Sequence, residues 1–170
     1  MTEHNRYLRG DMNEILAPVH GNTIVEAGDF MFRNDVGGSI GAGVSADEYA
    51  YPFNLAKNSA SPLTGIAYAI YTNFLGVATE SSPSGVTEDI VIATGGIFRY
   101  PNYSLSAVTI GALVSSVSTP ASNLGVSAQA VAIAGVARAT TAYLGYIVKT
   151  ESGASFVDLE IRTIYNGLAS

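Results

Sequence analysis

The sequence predicts an all-β fold: a compact β-barrel or sandwich of short strands with an extended N-terminal arm and one long loop excursion. Three observations predict it. Short apolar runs rich in Val, Ile, Thr, Tyr and Phe recur, punctuated by Gly, Pro, Ser and Asn. No segment sustains a 3.6-residue period with caps at both ends. Near the C-terminus, Val157, Leu159, Ile161 and Thr163 alternate with Asp158, Glu160 and Arg162, the period-2 pattern of a strand with one face in a core and one in water.

The elements follow in order. Residues 1–20 carry five charged residues (Glu3, Arg6, Arg9, Asp11, Glu14) and show neither helical nor strand period. They read as an extended arm closed by Pro18, whose apolar residues Tyr7, Leu8, Ile15 and Leu16 need a neighbour to pack on, or equally as a frayed terminus. Residues 21–170 read as a single β domain. Thr23-Ile24-Val25 and Phe30-Met31-Phe32 flank a turn at Ala27-Gly28-Asp29. Residues 34–65 read as one long loop, opening on Gly37-Gly38-Ser39-Ile40-Gly41-Ala42-Gly43 and passing through Tyr49-Ala50-Tyr51-Pro52-Phe53. A loop of that length in a compact domain is usually functional or flexible.

Strands then return at short spacing: 65–71, 74–79, 86–94 after the turn cluster Ser81-Ser82-Pro83-Ser84-Gly85, and 97–100 before Pro101-Asn102. Residues 107–118 read as two short strands around Gly111. The segments 126–136, 142–150 and 154–164 complete the set. Residues 121–139 are the best helix candidate, but Gly125, Gly135 and the Val and Ile content favour strands there. The chain also echoes itself. Phe74-Leu75-Gly76-Val77 matches Tyr143-Leu144-Gly145-Tyr146, and a Gly-centred strand pair precedes each, around Gly28 and Gly111. Two half-motifs closing one barrel would give this order.

Composition narrows function. Of 170 residues only 13% are charged, against about 25% in typical soluble domains. A net charge of −6 and a pI near 4.7 argue against nucleic-acid backbones as partners. No uninterrupted apolar stretch of about 18 residues suggests a membrane span, and no basic stretch leads into an apolar core as a secretory signal would. The absence of Cys excludes disulfides, thiolate catalysis and Cys-ligated metals. A mean hydropathy of +0.27, with aromatics spread along the chain, argues against disorder.

Catalytic hardware is sparse, and the sequence reads as no enzyme, with no catalytic, metal-binding or cofactor-binding residues. The two histidines, His4 and His20, both lie in the first twenty residues and supply a catalytic triad poorly. Asp47-Glu48 and Glu88-Asp89 are adjacent pairs, which on a strand point to opposite faces and cannot converge on one bond. Asp29, Asp35, Asp47 and Glu48 lack calcium-loop spacing. Gly38-Ser39-Ile40-Gly41-Ala42-Gly43 lacks the spacing of a dinucleotide loop and the Gly-Lys of a phosphate loop, and reads better as a hinge or close backbone contact. Arg9-Gly10-Asp11 spells an adhesion tripeptide, a match that chance supplies often. Tyr49, Tyr51 and Phe53, with Asp47 and Glu48 beside them, are candidates to stack on sugar rings in a receptor- or glycan-binding module of a phage tail or fibre. Packing in a core or subunit interface is the stronger reading of these aromatics.

Several segments together resemble the capsid decoration (cement) proteins of tailed bacteriophages. They are Val25-Glu26-Ala27-Gly28-Asp29-Phe30, Leu75-Gly76-Val77-Ala78, Glu88-Asp89-Ile90-Val91-Ile92-Ala93-Thr94-Gly95-Gly96-Ile97-Phe98, Leu144-Gly145-Tyr146 and Val157-Asp158-Leu159-Glu160-Ile161. The resemblance spans residues 23–164 and rests on strand patterns. It departs from the family in the length of segment 34–65 and in Tyr146, where a small residue is usual. It implies a β-barrel, commonly trimeric, on the outer face of the virion capsid, where it stabilises the shell by clamping neighbouring subunits, often through an arm. The implied partners are the major capsid protein and further copies of the chain, with no cofactor. The arm residues Tyr7, Leu8, Arg9, Ile15 and Leu16 are the expected capsid or subunit contacts. Deleting residues 1–18 is expected to leave the domain folded.

Overall fold

The computed structural model describes residues 7–9, 13–33, 49–55, 73–83, 87–103, 108–118, 126–133, 143–150 and 155–165. Within them the chain is all β, with a single 3-10 turn at Phe53–Leu55. The strands are β1 (Tyr7–Arg9), β2 (Glu14–Val19), β3 (Phe30–Arg33), β4 (Ala50–Pro52), β5 (Phe74–Ala78), β6 (Glu88–Ala93), β7 (Ile97–Pro101), β8 (Leu113–Ser118), β9 (Val126–Ile133), β10 (Gly145–Thr150) and β11 (Phe156–Ile161).

Strands β2-β4-β3-β5-β6 close into a barrel, and the rest form a sheet in the order β1-β7-β11-β10-β8-β9. That sheet curls until its last strand returns to its second: Asn102, just past β7, makes a parallel bridge to Val131 of β9. The Tyr103 N–H donates to the Val131 carbonyl there at 2.9 Å.

With β1 set aside, the curled sheet repeats the barrel strand for strand, β7 to β11 standing for β2 to β6. The registers agree. Met31 faces Gly76 as Val114 faces Gly145. Val19 meets Ala50 in parallel as Asn102 meets Val131, and Pro18 and Pro101 each sit one residue before that bridge. The Gly28 N–H donates to the Ala78 carbonyl at 2.7 Å, and the Gly111 N–H to the Ile147 carbonyl at 2.8 Å. Both turn glycines adopt positive φ, 97° and 85°, a conformation that side chains disfavour. The sequence echo is thus structural, with one correction: the two motifs do not close one barrel between them. Each lies in its own copy of the same strand plan.

The two copies differ in side-chain size, which explains how they pack. The first barrel is filled by Ala17, Val19, Met31, Ala50, Leu75, Ala78, Ile90 and Ile92, small enough in sum for the wall to close. At the places of Ala17, Ala50 and Ala78 the second copy carries Tyr100, Val131 and Ile147, all buried. This larger filling joins the outer wall of the first barrel, where Phe30, Phe32, Phe74 and Val77 point away from Met31 and Leu75 into one shared core. Phe30 lies 4.4 Å from Tyr100 between ring centroids, and the Tyr100 hydroxyl donates to the Gly28 carbonyl at 2.9 Å. Burying each such ring stabilises the fold by roughly 1.5–3 kcal/mol. The outer wall of the first barrel is therefore part of the core of the second unit.

A β-bulge makes the double-sided β5 possible. Met31 pairs with Gly76 and Phe32 with Phe74, leaving Leu75 over. The extra residue shifts the alternation, so Leu75 and Ala78 face the barrel interior while Phe74 and Val77 face the shared core.

Four sequence readings need revision. The predicted arm ends earlier, because Glu14–Val19 is β2, a wall strand of the closed barrel. The single domain expected to start at 21 therefore also takes in residues 14–20. The predicted loop 34–65 contains β4 and the 3-10 turn, whose Ala50, Tyr51 and Phe53 are core residues. Around Gly111 there is a turn and one strand, β8, among the described residues. Within 121–139 the strand reading holds: residues Val126–Ile133 form β9. The predicted strand 65–71 and the glycine run 37–43 lie outside the described residues.

Candidate assembly surface

The predicted contact residues separate into three groups. Tyr7, Leu8 and Arg9 form β1, which adds to the outer edge of β7, with Tyr7 opposite Phe98 and Arg9 opposite Ile97. Residues Tyr7–Arg9 of the arm are thus a strand of the second unit. Ile15 is half-buried and packs on the interior of the first barrel. Leu16 points outward and is 69% exposed.

Tyr49, Tyr51 and Phe53 do not form a platform for sugars. Tyr51 and Phe53 are buried, with Phe53 5.9 Å from Phe32 and 5.6 Å from Phe74 between ring centroids. Tyr49 is half-buried and meets the His20 ring edge-on at 5.4 Å. Their neighbours Asp47 and Glu48 lie outside the described residues, as do His4, Asp35, Gly10 and Asp11. His20 accepts a hydrogen bond at Nδ1 from the Asn22 N–H at 3.2 Å and stacks on Tyr51, a packing role. Glu88 and Asp89 are exposed on β6.

Asp29 is buried in the turn before β3. Its carboxylate accepts from the Glu26 N–H at 2.9 Å and from the Gln129 side-chain amide at 2.8 Å, tying the first unit to β9 of the second. Burial pushes its pKa above the ordinary value, while both hydrogen bonds pull the other way. Burial likewise pushes Tyr100 well above the ordinary phenol value, so its hydroxyl stays protonated and donates to Gly28. Among the described residues, no group of three or more His, Asp or Glu is placed to hold a metal ion, and no helix is long and apolar enough to cross a membrane.

What the surface does offer is edges and isolated apolar side chains. Ile24 and Tyr103 stand out at one place in each unit, and Ile110 and Leu113 flank the exposed Gly111 turn. Tyr146 lies opposite Leu113 on β10, and the Arg162 guanidinium sits 5.2 Å over its ring while donating to its hydroxyl at 3.0 Å. Sequence reasoning did not find Ile110 and Leu113. Its one pointer to this region was Tyr146, the large residue at a place where the resembled family carries a small one. No protein-family model matches the chain, and no curated protein or solved structure matches it either.

Proposed function

We propose that the protein is a non-enzymatic structural component of a bacteriophage virion. It binds the outer surface of the capsid and stabilises it by clamping neighbouring subunits. The observation that carries this reading is the distribution of large exposed apolar side chains, Leu16 and Ile24 on the first unit and Tyr103, Ile110 and Leu113 on the second. Apolar points spread over a weakly charged exterior suit broad contact with a protein lattice better than a single ligand site. Many copies on one shell turn modest contacts into strong retention. The resemblance to decoration proteins adds to this, and so does the trimer it implies, in which copies of the chain meet on the shell.

The reading is tested by incubating purified full-length protein with undecorated shells and sedimenting them. Saturable co-sedimentation, with a rise in the temperature at which the shells rupture, is expected. Protein left in the supernatant at saturating concentration overturns it. A solution mass measurement checks the trimer.

A further inference from the structure

We infer that the free edge of β2 is a docking site for an extended segment of a partner protein in which apolar and basic residues alternate. This deepens the function proposed above, on which the partner is a capsid subunit.

The Thr94 N–H donates to the Asn13 carbonyl at 2.6 Å, so in this antiparallel pair the odd-numbered residues of β2 turn their N–H and C=O groups toward β6. Those of Glu14 and Leu16 turn the opposite way. Among the described residues no strand lies beside them, since β4 meets β2 only at Val19. Pro18, which has no N–H to offer, lies on the same side where β4 comes in at the Val19–Ala50 bridge, so the stretch without a neighbour ends at Leu16.

The duplicated plan shows what such an edge accepts. Glu14 and Leu16 correspond to Ile97 and Arg99 of β7. There the same edge is occupied by β1, the strand Tyr7-Leu8-Arg9. One copy of the edge is filled from within the chain, and its counterpart carries no strand among the described residues at Glu14 and Leu16.

The side chains around the two edges differ in charge. On the second unit the outward pair beside the edge is Arg99 and Asp158, joined at 2.8 Å. On the first unit the same pair is Leu16 and Val91. Glu14 and Asp89 flank it, Glu80 accepts from the Val91 N–H at 3.3 Å, and neither β2 nor β6 contains a basic residue. An apolar contact bordered by carboxylates favours an incoming strand that pairs an apolar side chain with Arg or Lys. The β1 strand has that character.

The test uses full-length protein and a synthetic peptide with the sequence of residues 5–11 as probe, followed by amide hydrogen exchange. The peptide is expected to slow exchange at Glu14 and Leu16 by about tenfold or more. Leu16→Pro, which removes one edge donor and leaves the ladder to β6 whole, is expected to abolish the protection at Glu14. Leu16→Lys, which keeps every backbone group but sets a like charge against the peptide, is expected to weaken it, with the melting temperature unchanged. No protection at Glu14 and Leu16, or equal protection in the Leu16→Lys variant, overturns the inference. Because shells are absent from this experiment, its failure is distinct from failure of the protein to bind shells.

Discussion

Single residues set the geometry of both units, and the clearest are Gly76 and Gly145. Each follows the Leu of an aromatic-Leu-Gly run and lies against the next strand so closely that a Cβ would drive into a backbone carbonyl oxygen, that of Ala93 or of Glu160. Backbone cannot yield as a side-chain tip can. Gly76→Ala and Gly145→Ala are each expected to destabilise the protein by about 3 kcal/mol, the upper end of the cost of overpacking. The urea midpoint measures this, and an unchanged midpoint would contradict the stated contact.

Asp29 makes a pH prediction at the same scale. Its folded-state pKa lies above the ordinary 3.8, so the folded protein binds more protons than the unfolded chain between those two values. Stability therefore falls as pH rises through that window, and the loss persists above it. Asp29→Asn cannot ionise. Melting curves from about pH 3 to pH 7 should show the wild type losing stability relative to this variant as pH rises; a constant difference would contradict the burial of this carboxyl.

Among elements, β11 was the most legible in the sequence, since Val157, Leu159 and Ile161 alternate with polar residues as a half-buried strand must. The Phe74-Leu75-Gly76 echo was legible too, because the bulge fixes a residue pattern. β2 was not. Its inward residues Ile15, Ala17 and Val19 do alternate, but outward Leu16 and Pro18 hide the period. β4 was missed because Ala50-Tyr51-Pro52 is short and buried on both sides, which leaves no alternation to read. Without knowledge of β4, Tyr51 and Phe53 read as loop aromatics; their stronger reading, packing in a core, holds, and the sugar site drawn on them falls with that loop.

The position of β2 changes what truncation should do. Deleting residues 1–18 removes a wall strand and is expected to unfold the first barrel. Deleting residues 1–9 removes β1 and keeps β2, and is expected to leave a cooperatively melting protein with faster amide exchange along β7. Circular dichroism and exchange on the two truncations check this. A folded 1–18 deletion would contradict the assignment of Glu14–Val19 to the barrel.

At the scale of the whole molecule, two copies of one strand plan share a core, and this makes them one unit of stability. Phe30 belongs to a strand of the first unit but packs on Tyr100 of the second. Calorimetry is expected to show a single transition, and Phe30→Ala to cost about 3–5 kcal/mol while loosening both units together. Two separate transitions in the wild type would contradict the shared core.

Among the described residues the same arrangement leaves the outward edge of β2 without a neighbouring strand at Glu14 and Leu16 and the apolar points of both units exposed, which supports the proposed role in assembly. Electron cryo-microscopy of undecorated phage shells incubated with the full-length protein tests that role most directly. Added density on the outer shell surface that bridges neighbouring capsid subunits is expected, with the first barrel turned so that the β2 edge meets a capsid strand. Shells that stay bare at saturating protein would contradict it.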